Sequence, residues 1–148
     1  MRTIRPIELL VVCFAQLVLA SFSGQMVVEG AYVILNPVPG HPAAGYFKII
    51  NFGPDDRLIG AQSDEVERVE MHQTVRNGDI VRMRPQKTTA VAGGSSLSFS
   101  PGGYHLMVFG APPTSTTISI TLIFEISGAQ KIEFEVRSWA RRKEKTNN

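Results

Sequence analysis

Short runs of β-branched and aromatic residues, separated by turn-forming residues, dominate this sequence. Beyond the N-terminal apolar segment, no stretch sustains helical periodicity for long. Runs of this kind with Gly, Pro, Asn or Asp between them are typical of β-strands joined by tight turns. Their number and close spacing favour an all-β fold, an antiparallel β-sandwich or Greek-key barrel. The runs are 27–35, 45–51, 57–62, 68–74, 79–84, 96–100, 104–109, 116–126 and 131–137.

Strict alternation of apolar and polar residues is clearest near the C-terminus. In the segment 131–137 the apolar side chains are Ile132, Phe134 and Val136, at every second position. One face of such a strand is buried and the other contacts water. Residues 117–124 alternate in a similar way, and Ser127-Gly128 can turn them back onto the final strand. We interpret this hairpin as scaffold.

The first twenty residues have the features of an export signal. Arg2 and Arg5 form a positive region, residues 9–20 are apolar, and small residues precede a cleavage point after Ala20. The apolar run is interrupted by Gln16 and is shorter than the roughly 20 residues that span a bilayer. The sequence therefore predicts a signal peptide over 1–20 and a mature exported chain beginning near Ser21, without stable membrane insertion.

The single cysteine, Cys13, lies within this signal. Residues 10–13 faintly resemble a bacterial lipidation box, but Val12 stands where a small residue is expected and the apolar run continues beyond Cys13. We therefore favour cleavage over lipidation. An exported chain without cysteine excludes a thiol nucleophile, a cysteine-ligated zinc and a blue-copper centre.

The remaining chain has the size and charge of one ordinary domain. Residues 21–140 suit a single β-sandwich domain with its own core. Without the signal, 13 basic residues face 12 acidic ones, so nothing favours nucleic acid. The basic segment 141–148 is interpreted as a disordered tail. We expect a monomer.

A histidine and a methionine flank an Asn-Gly pair in the segment 69–85. If Asn77-Gly78 forms a two-residue type I′ loop, antiparallel pairing places His72 directly opposite Met83. Opposed side chains on one face have Cβ atoms about 5 Å apart. A longer loop or a bulge would shift this register.

A second histidine and methionine lie two residues apart on another predicted strand. His105 and Met107 share one face, and Tyr104, Leu106 and Val108 take the other. If the fold joins both pairs, the site contains two imidazoles and two neutral thioethers, a set that favours Cu(I) over Mg²⁺, Ca²⁺ or Zn²⁺. Taken singly, each of these residues more often packs in a core or at its rim.

The spacing of these residues resembles a family signature. His72, Met83, His105 and Met107 follow the pattern His, ten residues, Met, twenty-one residues, His, one residue, Met. This is similar to the motif H(M)x10Mx21HxM of the PCuAC periplasmic copper chaperones. The segments AAGYFKIINFGPDDRLIGAQSDEVERVEMHQT and GGSSLSFSPGGYHLMVFG resemble the same family.

The resemblance implies a cupredoxin-like β-sandwich that binds one Cu(I) through the four motif residues. It also implies delivery to a copper-accepting protein, either the copper centre of cytochrome c oxidase or one of its assembly factors. Two neighbours stay outside the predicted site: Met71 should point to the opposite face from His72, and His41 is interpreted as a surface loop residue. The tail lacks the His and Met that some relatives carry.

The alternative is a secreted, metal-free β-sandwich interaction module whose methionines pack and whose histidines sit at the rim. An enzyme is disfavoured, because the sequence contains no GxSxG, no HExxH and no paired-carboxylate motif.

Overall fold

The structure, a computed structural model, describes residues 26–138. The predicted signal peptide and the predicted basic tail lie outside these residues and stay predictions. The described part contains ten strands and no helix, and thus no helix able to cross a membrane. The strands are β1 (Met26–Ile34), β2 (Ala43–Asn51), β3 (Asp56–Gln62), β4 (Arg68–Asn77), β5 (Ile80–Pro85), β6 (Thr89–Val91), β7 (Ser96–Phe99), β8 (Tyr104–Phe109), β9 (Thr117–Phe124) and β10 (Gly128–Arg137).

All ten strands belong to one hydrogen-bonded sheet. Their order is β5-β4-β8-β7-β2-β1-β10-β9-β3-β6, and β8 also pairs with β2. Although β3 and β4 lie near opposite ends of this order, they contact each other. The sheet therefore folds over on itself and encloses its apolar face, as the predicted sandwich requires.

Two strand pairs are parallel, which the antiparallel prediction did not include. β1 pairs with β10 in parallel, and β7 pairs with β8 in parallel through Phe99 and Tyr104. Both β7 and β8 run antiparallel to β2, alongside different halves of it. They act as one interrupted strand in which Pro101-Gly102-Gly103 moves the chain sideways, so that β8 can also reach β4.

The core follows the two-residue period of the strands. β2 and β9 alternate buried and half-buried positions along their length. Phe47 stacks on Phe99 with ring centroids 4.4 Å apart and meets the edge of Phe134 at 5.6 Å. These rings come from β2, from its neighbour β7, and from β10, which β1 separates from β2 in the sheet order. Fully buried aliphatic residues complete the core: Val33, Ile49, Leu58, Leu106, Val108, Ile118, Ile120 and Leu122.

Asp56, at the start of β3, secures the turn between β9 and β10. Its carboxylate accepts hydrogen bonds from the backbone N–H groups of Ile126 and Ser127 at 3.0 and 2.9 Å and from the Ser127 hydroxyl at 2.6 Å. The backbone N–H of Arg57 donates to it as well, at 2.7 Å. Burial alone would raise the pKa of the Asp56 carboxyl, but these hydrogen bonds together lower it from its usual value of 3.8. Asp56, which lies outside the β9–β10 hairpin, thus stabilises the predicted Ser127-Gly128 turn.

Candidate metal centre

The pairing of β4 with β8 sets the two predicted histidines side by side. In this antiparallel register His72 lies opposite His105, and Met71 lies opposite Leu106. Leu106 is fully buried and Met71 is 6% exposed, so both belong to the core. Because side chains alternate along a strand, His72, His105 and Met107 occupy the outer face of the sheet. The prediction that Met71 and His72 point to opposite faces is confirmed.

The predicted register of the β4–β5 hairpin is wrong by two residues. Met83 pairs with Thr74, and His72 pairs with Pro85. The loop consists of Gly78 and Asp79, and Gly78 alone has a positive φ, of 60°. These signs of φ fit a type II′ turn, which needs a positive φ only at its first loop residue. A type I′ turn would have required a positive φ at Asn77 as well.

A shift by two residues preserves the face on which Met83 lies. Met83 remains on the outer face with His72, as its diagonal neighbour and not its direct partner. Diagonal neighbours on one face are about 7–8 Å apart, within reach of a long side chain. All four predicted ligands therefore lie on the same face of three adjacent strands, β5, β4 and β8.

The imidazoles of His72 and His105 form a stacked, buried pair. Their ring centroids are 6.0 Å apart and their planes differ by 29°. The side chains of both residues are almost inaccessible, although they lie on the outer face. One nitrogen of each ring, Nδ1 of His72 and Nε2 of His105, is buried without a hydrogen-bond partner. Each buried nitrogen without a partner costs about 1–3 kcal/mol of folding free energy, which a ligand bound to that nitrogen would recover.

The other nitrogen of each ring faces an oxygen. The carbonyl oxygen of Gly103 lies 3.1 Å from Nδ1 of His105, and a carbonyl can only accept a hydrogen bond. His105 therefore carries its proton on Nδ1, which leaves the lone pair of Nε2 free. For His72, Oε2 of Glu70 lies 3.8 Å from Nε2, whereas Nδ1 is the nitrogen that is buried without a partner.

Glu70 is itself held in place by its neighbours on the outer face. Nε of Arg68 donates to Oε1 of Glu70 at 2.8 Å. The guanidinium of Arg68 also lies 3.5 Å above the ring centroid of Phe109. In the register of β4 with β8, Glu70 stands opposite Met107. Phe109 and Arg68 thus position the carboxylate of Glu70 beside the histidine pair.

The two thioethers border an open cleft of about 360 Å³. Met83, His105 and Met107 line it, whereas His72 lies beside it against His105. Met83 is 60% exposed and Met107 is half-buried. The remaining walls are Asn36, His41, Pro42, Ala43, Ala44, Tyr46, Thr74, Pro101 and Gly102.

His41 is an exposed loop residue, as predicted, but the structure places it on the wall of the same cleft. It ends a tight turn in which its N–H donates to the carbonyl of Val38 at 3.2 Å. Pro39 and Gly40 occupy the centre of this turn, and Gly40 has a φ of 77°. The sequence did not predict that His41 approaches His105 and Met107, because this depends on how the loop before β2 packs beside β8.

The donor set is soft. Within residues 26–138 no three or more His, Cys, Asp or Glu cluster in a way that could hold a metal ion. The candidate coordinating atoms of this face are two buried imidazole nitrogens and two thioether sulfurs. Such a set suits Cu(I) and is poorly suited to hard cations. Glu70 is the neighbour that sequence reasoning missed, although its position two residues before His72 puts it on the same face.

Comparison with solved structures defines the class of fold. The copper-bound PCuAC domain from PmoF2 has a TM-score of 0.65 and 22% sequence identity, and the match covers 78% of this chain and 94% of that domain. The apo PCuAC domain from PmoF1 has a TM-score of 0.63 and 18% identity, over 78% of this chain and 95% of that domain. The fold is that of PCuAC domains, which confirms the predicted cupredoxin-like β-sandwich.

The sequence comparison defines the family. The family described as "Putative lipoprotein LpqE-like" matches residues 26–136, and the chain belongs to this LpqE-like family. A putative lipoprotein of Leifsonia xyli subsp. xyli, Lxx21020, is 29% identical over 87 residues. That match covers 56% of this chain and 52% of the relative, so the chain spans about half the length of the curated relative. Both descriptions are of lipoproteins, which are exported proteins of the cell envelope.

Proposed function

We propose that this protein is an exported carrier of copper(I) and not an enzyme. It binds one Cu(I) through His72, Met83, His105 and Met107. The observation that carries the proposal is the pair of buried imidazole nitrogens without partners, on the same face as two thioethers. A Cu(I) ion between them would satisfy both lone pairs at once.

The coordinating atoms follow from the oxygen atoms that lie beside the other nitrogen of each ring. His105 binds through Nε2, since the Gly103 carbonyl holds its Nδ1–H. His72 binds through Nδ1, since Glu70 faces its Nε2. In a metal-binding histidine, an oxygen beside the nitrogen that does not bind the metal fixes the tautomer and the orientation of the ring. The imidazole half of the site is therefore preorganised before the ion arrives.

The thioether half makes the ion transferable. A thioether is neutral and cannot hold copper as a thiolate does, and Met83 is the most exposed of the four ligands. An acceptor ligand can approach the open cleft and replace Met83 first, while the buried histidines still hold the ion. Release then proceeds by stepwise exchange of ligands.

The destination that we propose is a copper-accepting protein, either the copper centre of cytochrome c oxidase or one of its assembly factors. Its support is the resemblance of the motif to that of the PCuAC copper chaperones. The similar solved domain from PmoF2 was obtained with copper bound. Transfer would take place in the periplasm, where the chain would act as a monomer.

The form in which the N-terminus is exported is open to a direct test. We propose cleavage after Ala20, whereas the lipoprotein descriptions of the family and the relative raise the alternative of a lipid on Cys13. The intact mass of protein isolated from the cell envelope separates the two. A chain starting near Ser21 supports cleavage, and an acylated Cys13 would replace it with a membrane-attached carrier.

Anaerobic titration with Cu(I) against a competing chelator tests the proposed function. We expect one equivalent to bind. Met83→Leu and Met107→Leu should each lower the affinity while leaving the fold intact. Met71→Leu is the matched control, because this methionine adjoins His72 in sequence but packs in the core. No bound copper at one equivalent, with the protein folded, would favour the metal-free interaction module instead.

A further inference from the structure

The arginines of the described residues divide into two groups. Arg57, Arg68 and Arg137 each form an ion pair with a glutamate, at 3.8, 2.8 and 2.7 Å. The other three arginines within residues 26–138 form no such pair, and all three lie on the β4–β5 hairpin: Arg76, Arg82 and Arg84. Among the described residues, the arginines without an ion pair are thus concentrated on the hairpin that carries Met83.

Few acidic residues balance this charge. Asp79, in the turn, is the only carboxylate between residues 71 and 87, a stretch that also contains Lys87. β5 is an edge strand, at one end of the sheet order, and all six of its residues are exposed. The hairpin therefore presents both its charges and its ligand to any approaching molecule.

The arginines surround the hairpin from two sides. Arg76 lies on the outer face with Met83. Arg76 pairs with Val81, Thr74 pairs with Met83, and residues two positions apart on a strand share a face. Arg82 and Arg84 take the opposite face. There they border a small cleft of about 100 Å³ with Val75, Asn77 and Ile80. The cleft can receive a side-chain carboxylate between two guanidinium groups, which bind carboxylates well.

We propose that the β4–β5 hairpin is the docking surface for an acidic segment of the copper-accepting protein. This proposal rests on the proposed function, because it assigns a partner to the same site. A protein segment can enclose both faces of the hairpin edge, whereas a flat anionic membrane can meet only one of them. Ile80 and Val81, 55% and 49% exposed, supply apolar contact beside the charges. Docking here places the acceptor next to the exposed Met83.

Charged residues on an edge strand also prevent aggregation between sheets. Protection from aggregation does not require the hairpin to bind acidic ligands selectively, whereas docking does. Binding measurements therefore separate the two roles. The first probe is a fluorescent hexaglutamate peptide added to the purified copper-free protein, with hexaglutamine as its neutral counterpart. We expect hexaglutamate alone to bind, with an affinity that falls as ionic strength rises.

The variant Arg82→Gln/Arg84→Gln should weaken hexaglutamate binding about tenfold. Arg57→Gln/Arg137→Gln, which removes equal charge from paired arginines on other strands, should leave binding nearly unchanged. Equal loss in both variants would overturn the proposal, because it would reflect net charge alone. Binding of phosphatidylglycerol vesicles or inorganic phosphate through Arg82 and Arg84, without peptide binding, would also overturn it.

Transfer kinetics connect the surface with the copper site. A Cu(I)-loaded protein should deliver copper faster to a peptide that joins four glutamates to a Met-Gly-Met ligand than to its glutamine counterpart. The Arg82→Gln/Arg84→Gln variant should lose this difference while keeping its Cu(I) affinity. Equal rates for the two peptides would contradict docking. Failure to bind Cu(I) at all would instead refute the proposed function, and the copper-free peptide measurements would still decide the docking question.

Discussion

His72 and His105 face each other across β4 and β8 with ring centroids 6.0 Å apart, and each buries one ring nitrogen that has no hydrogen-bond partner. Proteins rarely bury two neighbouring nitrogens without partners, because each one costs folding free energy. The arrangement is stable only if other interactions in the fold offset this cost or if a ligand binds the two nitrogens.

The two histidines should occupy different neutral tautomers in the copper-free protein. His105 should carry its proton on Nδ1, which is the less common tautomer of a free histidine side chain, since the Gly103 carbonyl accepts from that nitrogen. His72 should carry its proton on Nε2, beside Glu70. Long-range ¹H–¹⁵N NMR spectra at alkaline pH resolve the two forms. His41, exposed on its loop, is the internal reference, and a His105 proton on Nε2 would refute the assigned coordinating atom.

Oxidation should reach the thioethers in the order of their exposure. Met83 is 60% exposed, whereas Met71 and Met26 are 6% and 5% exposed. Mild peroxide should therefore convert Met83 to the sulfoxide first and lower the affinity for Cu(I), because the sulfoxide is a polar and harder donor. Peptide mass mapping follows the modification, and methionine sulfoxide reductase should restore binding. Unchanged affinity after confirmed oxidation of Met83 and Met107 would argue against both as ligands.

Asp56 should make folding stability depend on acid. Its pKa is lowered in the folded state, so the carboxylate stabilises the fold above the usual value of 3.8, and this contribution is lost as the pH falls through 3.8 towards the lower folded-state pKa. Asp56→Asn should cost about 2 kcal/mol near neutral pH, because an amide cannot accept all four hydrogen bonds. Urea unfolding at several pH values measures both effects.

The control for this prediction is Asp64→Asn, at an exposed position. It should change neither the stability nor its pH dependence appreciably. Asp56→Asn should also leave the affinity for Cu(I) unchanged, because the Asp56 carboxylate makes its hydrogen bonds to Arg57, Ile126 and Ser127 and to none of the proposed ligands. A Cu(I) affinity that falls with Asp56→Asn at a temperature where the variant is folded would contradict this separation.

Periodicity predicted the parts of the fold that depend on local patterning. The alternation of residues 104–109 placed His105 and Met107 on one face, and the same rule put Met71 and His72 on opposite faces of their strand. The short strand β6 was missed, because three residues hold too little pattern to identify a strand. Its pairing with β3 comes from contacts distant in sequence.

The register of the hairpin could not be obtained from the Asn-Gly pair alone. Two turn types are compatible with a glycine there, and they differ by two residues in pairing. The error did not change the face of Met83, because an even shift preserves it. The approach of His41 to the cleft depends on tertiary packing, whereas the proximity of Glu70 to His72 follows from the two-residue period of β4 and was overlooked. No local pattern predicts how loops and side chains converge from separate strands.

X-ray absorption spectroscopy of the Cu(I)-loaded protein tests the central claim most directly. The proposed site predicts two nitrogen and two sulfur scatterers around copper, one fewer sulfur in Met83→Leu, and an unchanged shell in Met71→Leu. A shell without sulfur, or a Met83→Leu spectrum identical to that of the unmodified protein, would contradict the proposed ligand set.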